Sequence, residues 1–113
     1  MHVVDETVGD ALVVQPSGRL DSNTSPEFEK HLIGRFDQGA AAVVIDFCDL
    51  DYISSAGMRV LLMAAKRGKQ NNVPIALCNL SEPIREVVEI SGFLSILNVF
   101  PDRDAALAGV RAS

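Results

Sequence analysis

Residues 41–62 read AAVVIDFCDLDYISSAGMRVLL, and this stretch decides the fold. Its first five residues, Ala41 to Ile45, are all apolar, which is typical of a strand buried on both faces of a sheet. The polar and acidic segment from Asp46 to Ile53 is expected to be a loop. Ala56 to Lys69 follows as an amphipathic helix, with Gly68 as one of the residues that end it. Its predicted buried stripe, at spacings i, i+3, i+4 and i+7, is Met58, Leu61, Leu62 and Ala65.

The rest of the chain alternates strands with helices. Two short segments rich in β-formers, Val3 to Thr7 and Ala11 to Gln15, predict a hairpin across the turn at Gly9. The other predicted helices extend from Ser22–Pro26 to about Asp37, from Asn79–Pro83 to about Ile90 and from Asp102 to Arg111, and the other predicted strands are Pro74 to Cys78 and Leu94 to Phe100. The order β-β-α-β-α-β-α-β-α predicts an α/β fold: one domain, residues 1–113, with a mixed β-sheet covered by about four helices.

Composition narrows the classes of function. The chain has 113 residues, of which 48% are hydrophobic, which suits one domain with one core. A formal net charge of −5 argues against sequence-independent nucleic-acid binding, which depends on clustered Lys and Arg. Lys66, Arg67 and Lys69 form the only basic cluster, and they are expected to face solvent at a helix end. The short apolar runs and the absence of a signal pattern at the start predict a cytoplasmic protein without membrane insertion.

Cysteines and histidines give no sign of a metal site, a cofactor or catalysis. Cys48 and Cys78 lie in apolar surroundings without a CxxC motif, so both are expected to be buried thiols. His2 lies at the terminus and His31 within a predicted helix, so neither is expected to be a catalyst or a ligand. An enzyme that uses Ser55 with a histidine is the alternative from another class. No G-x-S-x-G elbow and no nearby base support it.

Ser54 and Ser55 open the helix that follows the acidic loop. Negative charge near a helix start is favoured by about 0.3 to 1 kcal/mol, so a phosphate on either serine need not unfold the domain. The other interpretation is that one of these serines only caps the helix. The residues by themselves leave both interpretations open.

Two separated motifs resemble a known family. Gly18-Arg19-Leu20-Asp21 and the segment from Asp46 to Gly57 resemble the paired signatures of STAS domains of the anti-sigma factor antagonist group. Ser91-Gly92-Phe93 is similar to the family's small-residue junction before the last strand, and the resemblance covers nearly the whole chain. It implies a non-enzymatic switch. The unmodified domain binds an anti-sigma factor that is also a serine kinase of the histidine-kinase-like ATPase fold, and phosphorylation of one serine ends the complex. A PP2C-type phosphatase restores it.

The resemblance also implies which residues carry the switch. Alignment on Gly57 places the phosphoacceptor at Ser55. Ser54 is the alternative, because it stands where the family usually has an acidic residue, and Ala56 stands where a second hydroxyl residue is usual. Asp21 matches the family aspartate near the phosphorylation loop. The predicted partner-binding residues are Asp21, Ser22, Asn23, Thr24, Ser54, Ser55, Gly57, Met58 and Arg59.

The pattern of residues supports contact with a partner more strongly at some of these positions than at others. Arg59 falls off the predicted buried stripe and is the preferred exposed contact, whereas Met58 belongs to that stripe. Gly57 is expected to allow a close approach within the first helical turn. Ser22 to Thr24 would lie on the same surface if the loops point the same way, but they would also serve as helix caps. The runner-up function is a STAS accessory subunit of a lipid or solute transport ATPase, which needs no phosphorylation.

Overall fold

The structure, a computed structural model, describes residues 2–92 and 97–111. The strands in these ranges are β1 (His2–Val8), β2 (Ala11–Leu20), β3 (Ala42–Asp46), β4 (Leu50–Ile53), β5 (Ile75–Cys78) and β6 (Asn98–Phe100), and the helices are α1 (Ser25–Asp37), α2 (Ser55–Gln70), α3 (Glu82–Ile90) and α4 (Arg103–Arg111). The predicted α/β class and the four helices are confirmed. The structure adds one short strand, β4. Of the strand predicted from Leu94 to Phe100, residues 94–96 lie outside the described residues, as does Phe93.

The strands form one mixed sheet in the order β1-β2-β3-β5-β6, with β4 paired to the far end of β2. β1 and β2 form the predicted antiparallel hairpin, and the other pairs are parallel. All five residues of β3 are buried, as expected for a central strand with both faces covered. Apart from the additional strand β4, the described part of the fold therefore agrees with the order of elements predicted from the sequence.

The end of β2 differs from the prediction. The strand was expected to end at Gln15, but it continues to Leu20 and pairs with β4 instead of β3 over its last residues. The register shifts between Gly18 and Arg19, where Gly18 has a φ of 85°, a conformation that a side chain disfavours. The prediction that the whole segment from Asp46 to Ile53 is a loop is therefore wrong for Leu50–Ile53.

Two hydrophobic clusters fill the space above and below the sheet. Helices α1, α2 and α3 cover one face, where Val43 and Ile45 of β3 meet Phe28 and Leu61. Helix α4 covers the other face, where the sheet presents small side chains. These include Ala11, Ala42 and Ala76. Because β3 alternates its side chains between the two faces of the sheet, each of its apolar residues packs into one of the two hydrophobic clusters.

The buried face of α2 is rotated relative to the prediction. Met58 and Leu61 are buried as predicted, but Leu62 and Ala65 are only half-buried. The buried set is Gly57, Met58, Val60, Leu61, Ala64 and Gly68. Gly68 does not end the helix. A Cβ there would lie 2.6 Å from the Val73 carbonyl oxygen, so this glycine lets α2 approach the start of β5.

The two cysteines have different environments. Cys78 is buried as predicted, but the prediction of a buried Cys48 is wrong, because this residue lies in the exposed turn between β3 and β4. Desolvation of the thiols, followed by the nearby Asp46 carboxylate, raises the pKa of Cys48 to about 11 and that of Cys78 to about 12. Both thiols are therefore protonated at neutral pH, which makes them poor nucleophiles.

No helix within residues 2–92 and 97–111 is long and apolar enough to cross a membrane. The same residues contain no group of three or more His, Cys, Asp or Glu side chains arranged to hold a metal ion. His31 instead contacts the Asp5 carboxylate, with 2.9 Å between Nε2 and Oδ1. That contact joins α1 to β1.

Candidate functional site

Parallel pairing of β2 with β4 brings two loops to one edge of the sheet. Leu20 is in register with Ile53, and the Ser54 N–H donates to the Leu20 carbonyl oxygen over 2.9 Å. Asp21 and Ser54 therefore follow directly from paired residues, and neighbouring strands lie only about 4.8 Å apart. We call the residues 21–24 and 54–59 at this edge the switch edge. The loop after β2 and the start of α2 thus share a surface, which is the condition under which the sequence placed Ser22 to Thr24 beside the two serines.

Asp21 shapes its own loop. Its carboxylate accepts hydrogen bonds from the backbone N–H groups of Asn23, at 2.9 Å, and Thr24, at 3.2 Å. The Thr24 hydroxyl donates to the Arg19 carbonyl oxygen over 2.7 Å. The bonds to the Asp21 carboxylate, of which that from the Asn23 N–H contributes most, hold the pKa of Asp21 below its ordinary value even though partial desolvation opposes them. Asp21 is therefore ionised at neutral pH and contributes negative charge to the switch edge.

The other loop residues are placed around this turn. Ser22 and Asn23 are exposed, and Thr24 is half-buried at the position before α1. Thr24 makes no side-chain cap bond to the helix, since its hydroxyl bonds back to Arg19. The backbone of Asp21 accepts a bond from the Ser25 N–H instead, at 2.8 Å. Contact of these loop residues with a partner stays a prediction.

The two serines occupy different positions. Ser54 is half-buried at the N-cap of α2, where its Oγ accepts a long bond of 3.4 Å from the Gly57 N–H. Ser55 is the first residue of the helix and is exposed. In the part of the chain that the structure describes, the Ser55 hydroxyl forms no hydrogen bond. Ser54 is therefore the capping residue, and the Ser55 hydroxyl is accessible from solvent.

Gly57 and Met58 face the interior at the start of α2. A Cβ on Gly57 would lie 2.7 Å from Cγ1 of Ile53 and 2.9 Å from the Leu20 carbonyl oxygen. The expected close approach at Gly57 is thus confirmed, and it joins the helix start to the paired ends of β2 and β4. Met58 is 3% exposed. Direct contact of either residue with a partner stays a prediction.

An apolar groove between α2 and α3 opens beside Ser55. Its volume is about 460 Å³, and we call it the α2–α3 groove. It is lined by Ser55, Met58, Arg59, Leu62, Val87, Ile90 and Ser91. Ile90 is 85% exposed, which is unusual for a large aliphatic side chain. Sequence reasoning used Ile90 only as a helix end. The signal that was missed is the helical spacing: α3 buries Ile84 and Val88, and Ile90 does not lie on the same face of the helix as these two residues.

Two arginines lie at or beside the switch edge, Arg59 within it and Arg19 two residues before its first loop. The Arg19 guanidinium lies 4.2 Å from the centre of the Tyr52 ring and 3.7 Å from the Asp21 carboxylate. Arg59 is exposed as predicted and borders the groove. Among residues 2–92 and 97–111, its guanidinium has no ion pair and no hydrogen bond. The edge therefore combines an accessible hydroxyl, an ionised carboxylate, an unpaired cation and an apolar groove.

This chain belongs to the STAS domain family, whose sequence model matches residues 2–106. BtrV of Bordetella bronchiseptica, which is provisionally named an anti-sigma factor antagonist, is similar along the whole length. It is 39% identical over 113 residues, which make up 100% of this chain and 97% of BtrV.

Solved structures share the fold. An anti-sigma factor antagonist from Mycobacterium paratuberculosis superposes with a TM-score of 0.89 and 23% identity, over 97% of this chain and 93% of that one. The Bacillus cell fate determinant SpoIIAA, in its phosphorylated form, superposes with a TM-score of 0.74 and 21% identity, over 97% of this chain and 100% of that one. At these identities the likeness concerns the fold alone.

Proposed function

We propose that residues 1–113 form one STAS domain that acts as an anti-sigma factor antagonist without catalytic activity of its own. In the unphosphorylated state it binds an anti-sigma factor that is a serine kinase of the histidine-kinase-like ATPase fold. Phosphorylation of Ser55 releases it, and a PP2C-type phosphatase resets it. The observation that carries this proposal is the Ser55 hydroxyl at the first residue of α2, beside the Asp21 loop: it is exposed and forms no hydrogen bond to any residue that the structure describes. The full-length likeness to BtrV supports the class of partner.

The reaction transfers the γ-phosphoryl group of ATP. The Oγ–P bond forms at Ser55, the bond from the γ-phosphorus to the bridging oxygen breaks, and ADP leaves. The hydroxyl proton passes to a base of the kinase. Exposure of Ser55 is what this step requires, because the hydroxyl must enter another protein's active site.

Ser55 is a better acceptor than Ser54 for a structural reason. Ser54 is half-buried and its Oγ already accepts the N-cap bond from the Gly57 N–H, so it is less accessible to the active site of a kinase. Modification of Ser55 breaks no side-chain bond in the described part of the chain. The phosphoacceptor is therefore better placed at Ser55, which is exposed, than at Ser54.

The added charge explains release. A phosphate contributes about −1.5 to −2 charges at neutral pH. At the switch edge it meets the ionised Asp21 carboxylate on a protein whose net charge is already −5. Desolvating this charge in an interface is costly, and a loss of about 2.7 kcal/mol lowers affinity a hundredfold.

The direct test is mass spectrometry of the protein purified from its own cells, as wild type, Ser55→Ala and Ser54→Ala. We expect a phosphate on the peptide that contains both serines, absent only from Ser55→Ala. A phosphate that persists in Ser55→Ala contradicts the assignment. Its absence from wild type under every growth condition favours a constitutive subunit, such as that of a transport ATPase.

Binding to the proposed anti-sigma factor supplies the second test. Ser55→Asp is expected to weaken binding at least tenfold, although aspartate carries less charge than phosphate. Ser81→Asp is the matched control, since Ser81 is also an exposed serine at a helix start but precedes α3. Equal affinity of Ser55→Asp and wild type would count against the switch.

A further inference from the structure

Ser55 and Arg59 form an i, i+4 pair on the exposed side of α2. Both residues are exposed and both line the α2–α3 groove. Residues four apart on a helix have Cβ atoms about 5 to 6 Å apart. An arginine side chain spans that distance, so its guanidinium can reach a group attached to the Ser55 hydroxyl.

Arg59 is not engaged elsewhere in the described part of the chain. Three other arginines, by contrast, are paired: Arg35 with Asp5, Arg85 with Glu89, and Arg103 with Asp46. Helix α2 contains no Asp or Glu from Ser55 to Gln70, so no carboxylate on the same helix competes for Arg59. On α3, the carboxylate of Glu89 is already held by Arg85 over 3.1 Å.

The groove around Arg59 is otherwise apolar. Met58, Leu62, Val87 and Ile90 supply most of its lining, and Arg59 is the one charged residue among the described residues that line it. A cation at the rim of an apolar groove favours partners that bring a negative group next to an apolar one. Loss of this cation would change what the groove can bind.

We propose that the phosphate on Ser55 captures Arg59 in an intrahelical ion pair, so that modification also removes the cation from the α2–α3 groove. Arg59 is then a positioning residue of the switch. The phosphate oxygens match the fork of N–H donors on a guanidinium, which binds such anions through two parallel bonds. This inference rests on the proposed modification of Ser55, and it adds a second cause of release to like-charge repulsion.

The test needs neither the kinase nor the partner. The full chain is made with phosphoserine encoded genetically at position 55, and phosphorus NMR follows the second ionisation of the phosphate with pH. That pKa is ordinarily about 6. An ion pair with Arg59 favours the dianion, so the pKa in otherwise wild-type protein is expected to be about 0.2 to 0.4 units below that in Arg59→Ala.

Two further variants separate an ion pair from a general charge effect. Lys66→Ala removes one positive charge from the same exposed helix, eleven residues from Ser55 and about 16 Å along the axis. It is expected to leave the phosphate pKa unchanged, whereas Arg59→Lys retains part of the shift. The carboxylates of Asp21 and Asp51, and those of Glu86 and Glu89 on α3, are present in every variant and so do not account for a difference between them.

The outcomes distinguish this inference from the proposed function. Equal phosphate pKa values in Arg59→Ala and the otherwise wild-type protein overturn the ion pair and leave phosphorylation of Ser55 untouched. Equal shifts in Arg59→Ala and Lys66→Ala also overturn it, because the effect is then one of net charge. Absence of phosphate from the protein in its own cells defeats the proposed function, while the ion pair remains measurable on the encoded phosphoserine.

Discussion

Two groups of polar side chains follow the carboxyl ends of parallel strands in this sheet, and they differ in whether they are already paired. At the end of β3, the Asp46 carboxylate is buried and accepts bonds from the Cys48 N–H, Asn79 and Arg103. Beyond β2 and β4, the Ser55 hydroxyl and the Arg59 guanidinium are exposed and have no partner within the described residues. The first group holds elements together, and the second is available to another molecule.

Electrostatics explains why the first group is fixed. Burial alone would raise the pKa of Asp46, but the bonds from Asn79, Cys48 and Arg103 outweigh it and hold the pKa below its ordinary value. Arg103 also bonds Glu6 and Gln15, so one side chain at the start of α4 joins β1, β2 and β3. A polar group that is satisfied in this way has no capacity left for a partner.

The largest effect on stability is expected for Asp46→Ala, which tests whether the paired group holds the fold together. It leaves the Arg103 charge, whose side chain is 30% exposed, without its buried carboxylate. We expect the free energy of unfolding to fall by about 3 kcal/mol, measured by urea denaturation. Ser55→Ala and Arg59→Ala are the controls from the second group of side chains. Each should change the free energy of unfolding by less than about 0.5 kcal/mol. A comparable loss in either control would mean that the second group also holds the fold.

The pH dependence checks the same contact independently. Because the folded pKa of Asp46 lies below its unfolded value of 3.8, its contribution to stability is present above that pH. It is lost as the pH falls through the lower folded pKa. The stability of wild type should therefore fall more steeply than that of Asp46→Asn over this acid interval. Parallel curves would argue against a special role for this carboxylate.

The next largest effect is expected for Gly57→Ala. The new Cβ would lie 2.9 Å from the Leu20 carbonyl oxygen, a backbone atom that cannot move alone. We expect a loss of about 2 kcal/mol in thermal or urea unfolding, with weaker partner binding because α2 shifts. Gly34→Ala on α1 is the matched control. Its Cβ meets nothing within 4 Å, so it should stabilise by up to about 1 kcal/mol.

Ile90→Ser tests whether the apolar side of the α2–α3 groove contacts the partner without contributing to stability. Ile90 is 85% exposed, so stability should change by less than about 0.5 kcal/mol. Binding to the anti-sigma factor should weaken about tenfold if the groove is part of the interface. Val4→Ser is the control, because Val4 is an exposed aliphatic residue on the edge strand β1. Equal binding by both variants would place the interface elsewhere.

The smallest effect distinguishes the two serines. Ser54→Ala removes a cap bond that is 3.4 Å long, so we expect a loss near the low end of the range for caps, about 0.5 kcal/mol. Ser55→Ala should leave stability unchanged. Calorimetric melting of both variants at one protein concentration measures the difference. A larger loss for Ser55→Ala would exchange the roles assigned to the two residues.

The sequence predicted the elements of this fold better than their contacts. The apolar run of β3 and the polar start of α2 are local signals, so both were found within one or two residues. Strand β4 was missed because four residues with the burial pattern of Leu50–Ile53 form a strand only when a partner strand is beside them. The orientation of α2 was missed because its periodicity counts apolar residues, whereas Gly57 and Gly68 are buried for their lack of a side chain.

The sequence by itself determined the class of fold, the family resemblance, the exposure of Arg59 and the candidate serines, since these depend on residue type, order and spacing. Only the tertiary structure decided which serine caps α2 and which is exposed, and it alone showed the groove beside Ile90. It also showed that Cys48 is exposed. The physical reason is that burial and hydrogen bonding depend on which distant residues become neighbours, and here the pairing of β2 with β4 sets those neighbours at the switch edge.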